Sequence, residues 1–250
     1  MLVIALLAGS MSFAVMVDDF ESYAVGNVSG TGVWTGIFAG TGNAQIETDG
    51  SNQYGSWWAA NNGPRGMWRN LPNVIPDADT ATTVFMQVST DTLTNDGSFG
   101  LSDITTAPSS SQPWGDFEVQ GAIVNGALSA RNAGTVVNLN YAITAGQWYN
   151  IWFVINNSAD TYDMYVTTGG DATSADRVAD DFVFRNSGAG LVANNLTILM
   201  SAANTRADVQ KFHWDNIAIA GGQNLAVGLP EPATMLLLGL GGLAFSLRKQ

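Results

Sequence analysis

Asp116 and Glu118 stand two residues apart in a stretch rich in strand-forming side chains. On an extended strand that spacing puts both carboxylates on one face, and a facing pair of carboxylates is what glycoside hydrolysis requires. Ordinary solvent-facing strand positions produce the same spacing, so no catalytic residue is assigned and the pair stand only as candidates. Other chemistries have less to work with. His213 is the single histidine, and it shares strand parity with Lys211 and Asp215, which reads as a surface position. There is no His-Glu-x-x-His, no phosphate-cradling Gly-Lys-Ser/Thr, and no cysteine for thiolate or disulfide chemistry.

Binding chemistry has better material. Trp57, Trp58 and Trp68 flank Asn61-Asn62-Gly63-Pro64-Arg65, with Arg69 beyond, and Trp114 follows the Ser/Pro-rich stretch from Ala107 to Pro113. An indole face stacks on the C–H groups of a sugar ring while amide and guanidinium groups bond its hydroxyls. Trp57, Trp58, Arg65, Trp68, Arg69 and Trp114 are therefore the candidate ligand-binding residues. Alternation along a strand turns one of Trp57 and Trp58 inward, and the competing role for each tryptophan is the core.

These residues must be held by strands. Thr82 to Val88, Asp116 to Val124, Thr135 to Leu139, Gln147 to Ile155, Thr161 to Val166, Leu196 to Met200 and Val209 to Ile219 are rich in β-branched and aromatic residues. Gly, Asn and Asp punctuate them, as at Asn95-Asp96-Gly97 and Thr168-Gly169-Gly170-Asp171. No amphipathic run of helical period lies between them, which predicts an all-β antiparallel sandwich. Gln147 to Ile155 is apolar at both parities and belongs in the middle of a sheet. In the last stretch Phe212 and Trp214 hold one parity and Ile217 and Ile219 the other, so a bulge is expected at Asp215-Asn216. A bulge there re-aims Asp215 toward Asp19 and Glu21, a set of hard oxygens that suits one structural Ca²⁺, although calcium needs more ligands than these three.

The opening Val17-Asp18-Asp19-Phe20-Glu21-Ser22-Tyr23 and the closing Phe212-His213-Trp214-Asp215-Asn216-Ile217-Ala218-Ile219 resemble the two ends of a concanavalin A-like or laminin G-like jelly roll. The resemblance implies that first and last strands pair and that the scaffold is of a sugar-binding kind. The region around Asp116 and Glu118 departs from the Glu-x-Asp-x-x-Glu arrangement of jelly-roll glucanases, with Gly121 where a further Glu would stand.

Both chain ends read as addresses. Met1 to Ala14 holds an apolar stretch followed by Ser12-Phe13-Ala14, a small-x-small pattern expected of a secretory signal, with the α-amino group as its only positive charge. At the other end, Pro230-Glu231-Pro232 precedes an apolar run from Ala233 to Leu247 and a terminal Arg248-Lys249-Gln250. As a helix the run measures about 22 Å against a hydrocarbon core of about 30 Å, so it suits a transient anchor, with the basic pair on the cytoplasmic side. Pro230, Glu231, Pro232, Arg248 and Lys249 resemble the parts of the PEP-CTERM sorting signal of exported bacterial proteins. That resemblance implies recognition, and removal of the tail, by an exosortase.

The expected organisation is a signal peptide at 1–14, a jelly-roll domain at 15–220, a linker at 221–228 and a sorting segment with a short hydrophobic helix at 229–250. About 205 residues between the signals suffice for one substantial core. A formal net charge of −12 argues against nucleic acid as a partner. The expected function is that of an exported envelope or matrix protein, held transiently in the membrane, whose sandwich binds carbohydrate or another surface polymer and is not an enzyme. The alternatives are a polysaccharide hydrolase or lyase on the same scaffold, and a purely structural matrix component.

Overall fold

The structure, a computed structural model, describes residues 14–37, 44–59, 65–71, 80–93, 96–106, 113–186, 195–201 and 210–227. The expected signal segment ahead of Ala14 and the sorting segment at 229–250 lie outside these residues. The first strands are β1 (Ala14–Asp18), β2 (Gly26–Asn27), β3 (Thr35–Ile37), β4 (Ala44–Thr48), β5 (Gln53–Ala59), β6 (Arg65–Asn70), β7 (Thr82–Thr90) and β8 (Asp96–Ser102). They continue as β9 (Phe117–Val124), β10 (Ala127–Asn132), β11 (Thr135–Ala142), β12 (Tyr149–Asn156), β13 (Thr161–Thr167), β14 (Arg177–Val183), β15 (Asn195–Ser201) and β16 (Gln210–Gly221).

The strands form two antiparallel sheets. The first runs β14-β13-β12-β7-β16-β5-β4-β2 with β1 also paired to β16, and the second runs β11-β10-β9-β8-β15-β6-β3. As expected of a jelly roll, the first and last strands pair, with Ala14 opposite Ala220 and Asp18 opposite Ile217. One core lies between the sheets, filled by Trp57, Trp214, Phe99, Phe153, Phe212, Ile151 and their neighbours. Large rings at facing positions fill that gap to near-crystalline density.

β12 sits between β7 and β13, the central place its sequence predicts. Tyr149, Ile151, Phe153 and Ile155 enter the main core. Trp152 and Val154 pack on the opposite face with Phe85, Tyr165 and Ala218. Among the described residues no sheet lies above that second cluster, and the segment after β16 covers it. Leu225 and Val227 pack against it, Trp152 Nε1 donates to the Ala226 carbonyl, and Ala172 N donates to the Leu225 carbonyl. Residues 222–227, expected as a linker, thus lie on the sheet, because an uncovered Trp152 would otherwise leave apolar area in water.

The bulge in β16 falls where the parity switch places it. Register against β7 shifts between Asp215 and Ala218, and Asn216 takes φ of 48°. The predicted strand from Asp116 begins one residue later. Pro113, Trp114, Gly115 and Asp116 form a 3₁₀ turn, since the fixed φ of Pro113 favours a tight turn at that point.

Candidate functional site

The main core takes one parity of the central seven-stranded sheet: Phe99 and Leu101 of β8, Val119 and Ile123 of β9, Leu128 and Ala130 of β10. Ser98, Gln120 and Ser129 therefore point to the sheet's other face, and there they are buried as well. Ser98 and Gln120 are joined by a hydrogen bond rather than by apolar packing. Gln120 Nε2 donates to Ser98 Oγ at 2.8 Å, and Arg185 donates through a guanidinium nitrogen to Gln120 Oε1 at 3.2 Å.

Glu118 sits beside this row at a register slip. Leu101 pairs with Val119 but Ser102 pairs with Phe117, so Glu118 is the unpaired residue of the bulge. Its carboxylate accepts from Asn186 N at 3.0 Å and from Asn186 Nδ2 at 2.8 Å, and its backbone carbonyl accepts from Arg185 N. Burial, opposed by the Asn186 bonds and aided by the charge of Asp103, pushes the Glu118 carboxyl up to about 7. Asp116 is also raised, by burial and by Asp103. The two carboxylates do not share a strand face as the spacing implied. Asp116 ends the 3₁₀ turn while Glu118 is 1% exposed in β9. In this state Glu118 anchors the segment that follows β14.

The aromatic candidates separate. Trp57 is fully buried and stacks on Phe212 with ring centroids 5.4 Å apart, so it is core. Trp68 is 8% exposed and packs with Ile37, Phe117 and Ile104 at the far end of the same polar face, its buried Nε1 without a partner. Arg69 turns inward to the Asp18 carboxylate and lies over the Trp34 ring at 5.6 Å. The side chains of Trp58, Arg65 and Trp114 fall outside those described. What sequence reasoning missed are Gln120, Arg185 and Asn186. Gln120 alternates with core residues in a strand and carried a detectable signal, whereas Arg185 and Asn186 sit in a turn far along the chain.

The three calcium candidates are neighbours without forming a cage. Asp215 is buried, and it accepts from Asn52 Nδ2 at 2.8 Å and from Asn216 N at 2.7 Å. Burial first, with the charges of Glu21 and Asp19 adding, pushes its carboxyl up to about 6. Glu21 is spent on Gln53 N at 2.7 Å and Asp19 on Glu21 N at 3.2 Å. Among the described residues, the group whose ligand oxygens all fall within 4.8 Å of one another is Asp163, Asp180 and Asp181. There Arg177 already pairs with both Asp163 and Asp180.

His213, expected at the surface, is 6% exposed. The rings of Tyr54 and Trp148 close over it, at centroid distances of 4.9 and 6.2 Å, and Asp91 holds its Nε2 at 2.8 Å.

Glu118 and Asp215 set an expected pH dependence. Both folded values lie above the ordinary 4.5 and 3.8, so the folded chain holds these protons more tightly than the unfolded chain does. Their contribution is complete below the ordinary carboxylate range and is lost as pH rises through about 6 and about 7. The melting temperature should fall between about pH 5 and about pH 8, and Glu118→Gln should flatten the upper part of that fall. A flat wild-type profile would show that neither carboxyl is displaced.

Residues 229–250 match the PEP-CTERM protein-sorting motif. The chain carries that sorting signal. A signal of this class implies export to the envelope. Among the described residues no helix is long and apolar enough to cross a membrane. No curated protein is significantly similar to the chain in sequence. Its fold is similar to that of the catalytic domain of a glycoside hydrolase family 131 protein from Coprinopsis cinerea (TM-score 0.58, 10% identity, 86% of this chain and 98% of that one). It is similar in the same way to endo-β-1,4-glucuronan lyase from Trichoderma reesei (TM-score 0.57, 11% identity, 88% and 98%). Basic winged bean lectin also shares the fold (TM-score 0.53, 9% identity, 84% and 98%). The scaffold is the lectin-like jelly roll that the two chain ends resemble.

Proposed function

We propose that the protein is an exported, exosortase-sorted component of the envelope or extracellular matrix whose sandwich binds polysaccharide across the outer face of the seven-stranded sheet. The observation that carries this is the Ser98–Gln120–Arg185 row beside Glu118–Asn186: amide, hydroxyl and guanidinium groups lined across a sheet face, where an ordinary sandwich has scattered solvated side chains. Arg185 and Asn186, which reach the surface, suit the hydroxyls of sugar units, and the buried Gln120, Ser98 and Glu118 hold them in place. Similarity of fold to a lectin, a glycoside hydrolase and a glucuronan lyase supports the ligand class. A second reading, hydrolase or lyase, has one specific support: Glu118 is displaced toward neutrality, as an acid in such a reaction is. Binding is preferred because both Glu118 oxygens are occupied by Asn186, whereas Arg185 and Asn186 beside it reach the surface.

Pull-down of the purified chain on a panel of neutral and uronic-acid polysaccharides tests the proposal. At least one polymer should retain it, with Arg185→Ala and Gln120→Ala each weakening retention by about tenfold, equivalent to about 1.4 kcal/mol. Sugar release lost in Glu118→Gln would move the assignment to the enzyme. No retention by any polymer, together with self-association, would replace it with a structural role.

A further inference from the structure

On the outer face of the other sheet, away from the row just described, Tyr54 and Trp148 meet edge to face, ring centroids 5.7 Å apart at 71°. Both are only partly buried, so together they form an open aromatic corner. Beneath it lies His213, and next to His213 across the β5–β16 pairing lies Ser56. Ser56 Oγ and His213 Nδ1 are both buried and have no hydrogen-bond partner. Two neighbouring polar atoms left unsatisfied in a protein interior are costly, and they mark a place where a water or a ligand hydroxyl completes the bonding.

The rim of this corner is acidic. Asp91 is half exposed and reaches His213 Nε2, and Glu47 lies opposite Tyr54 on β4. After burial, the charges of Glu47, Asp49 and Asp91 are what hold the Tyr54 phenol above its ordinary range. Lys211 offsets part of that charge through its ion pair with Glu47 at 2.7 Å. Three carboxylates against one ammonium leave the rim negative, and the faces of the two rings add the negative side of their quadrupoles.

We propose that this corner binds a cationic sugar, a glucosamine unit with a free amino group in a polymer. The sugar ring stacks on Trp148 or Tyr54, and the ammonium pairs with Asp91 and faces the second ring. An anionic sugar is repelled by the rim, and a neutral one offers Asp91 hydrogen bonds without the countercharge. The site is separate from the Arg185 row, so one molecule has two faces able to hold different polymers, a cross-linking geometry suited to an exported matrix component.

The test titrates full-length protein with a glucosamine tetramer, its fully N-acetylated counterpart and choline, in mildly acidic buffer, following tryptophan fluorescence and calorimetry. The free-amine tetramer should bind at least about tenfold more tightly than the acetylated one and than choline. Asp91→Asn, which keeps an acceptor for His213, should remove most of that preference without moving the melting temperature, and Trp148→Leu should weaken both tetramers. Arg185→Ala should leave binding unchanged, so failure of the polysaccharide row and failure of this site are told apart. Equal binding of the two tetramers, choline binding as tightly as the free-amine tetramer, no binding at all, or an Asp91→Asn variant indistinguishable from wild type would each overturn the assignment.

Discussion

Asp18→Ala is expected to destabilise the fold by about 3–5 kcal/mol. Asp18 closes β1 and is 6% exposed. Its Oδ2 accepts from Tyr23 Oη and from Trp34 Nε1, each at 2.8 Å, and pairs with the Arg69 guanidinium, while Oδ1 accepts from Phe20 N at 2.9 Å. Removing it leaves a partly buried guanidinium without its countercharge and a buried indole N–H without an acceptor, and both losses add. For a domain of this size each kcal/mol is roughly 2–4 °C, so the melting temperature should drop by about 10 °C. Asp18→Asn should fall between wild type and Asp18→Ala, since it keeps one acceptor oxygen and loses the charge. Chemical denaturation reads all three proteins, and an alanine variant within about 1 kcal/mol of wild type would show that Arg69 and Trp34 find other partners. Arg69 is thereby assigned to the framework and not to a ligand.

Gly100→Ala should be as damaging for a different reason. Gly100 has φ of 150°, and a Cβ there would lie 2.1 Å from the Val119 carbonyl oxygen. That obstacle is backbone of the paired strand β9, next to the Gln120 that faces Gly100, and it cannot swing aside as a side chain can. Strained φ and displacement of the β8–β9 pair together predict a loss of about 3 kcal/mol or more. Because Gly100 neighbours the slip that frees Glu118, the polysaccharide row should be disturbed as well. Gly115→Ala is the control: nothing lies within 4 Å of its Cβ position, so its effect should stay within about 0.5 kcal/mol. Equal melting temperatures for the two variants would refute the close approach.

Much of this scaffold was readable from residue order. Parity along Gln147 to Ile155 placed β12 centrally, and the switch between Trp214 and Ile217 located the bulge, since a period-two pattern records which side of a sheet each residue faces. The same rule required one of Trp57 and Trp58 to turn inward, and the structure shows that Trp57 does. It failed at Asp116, where Pro113 starts a turn that the strand-like composition concealed, and at His213, where the covering rings come from β5 and from the loop before β12. It also had no means of assigning Arg69, which finds Asp18 across 51 residues.

By itself the sequence determined the all-β class and the sorting signal at 229–250, because these depend on local periodicity or on contiguous residues; the pairing of the first and last strands was implied by the resemblance of those two segments to a jelly roll. Tertiary structure alone decided which polar groups meet. Gln120 and Arg185 are 65 residues apart, and His213 and Asp91 are 122 apart. Antiparallel pairing between strands distant in the chain brings such groups within hydrogen-bonding range, and no spacing along one strand encodes that encounter.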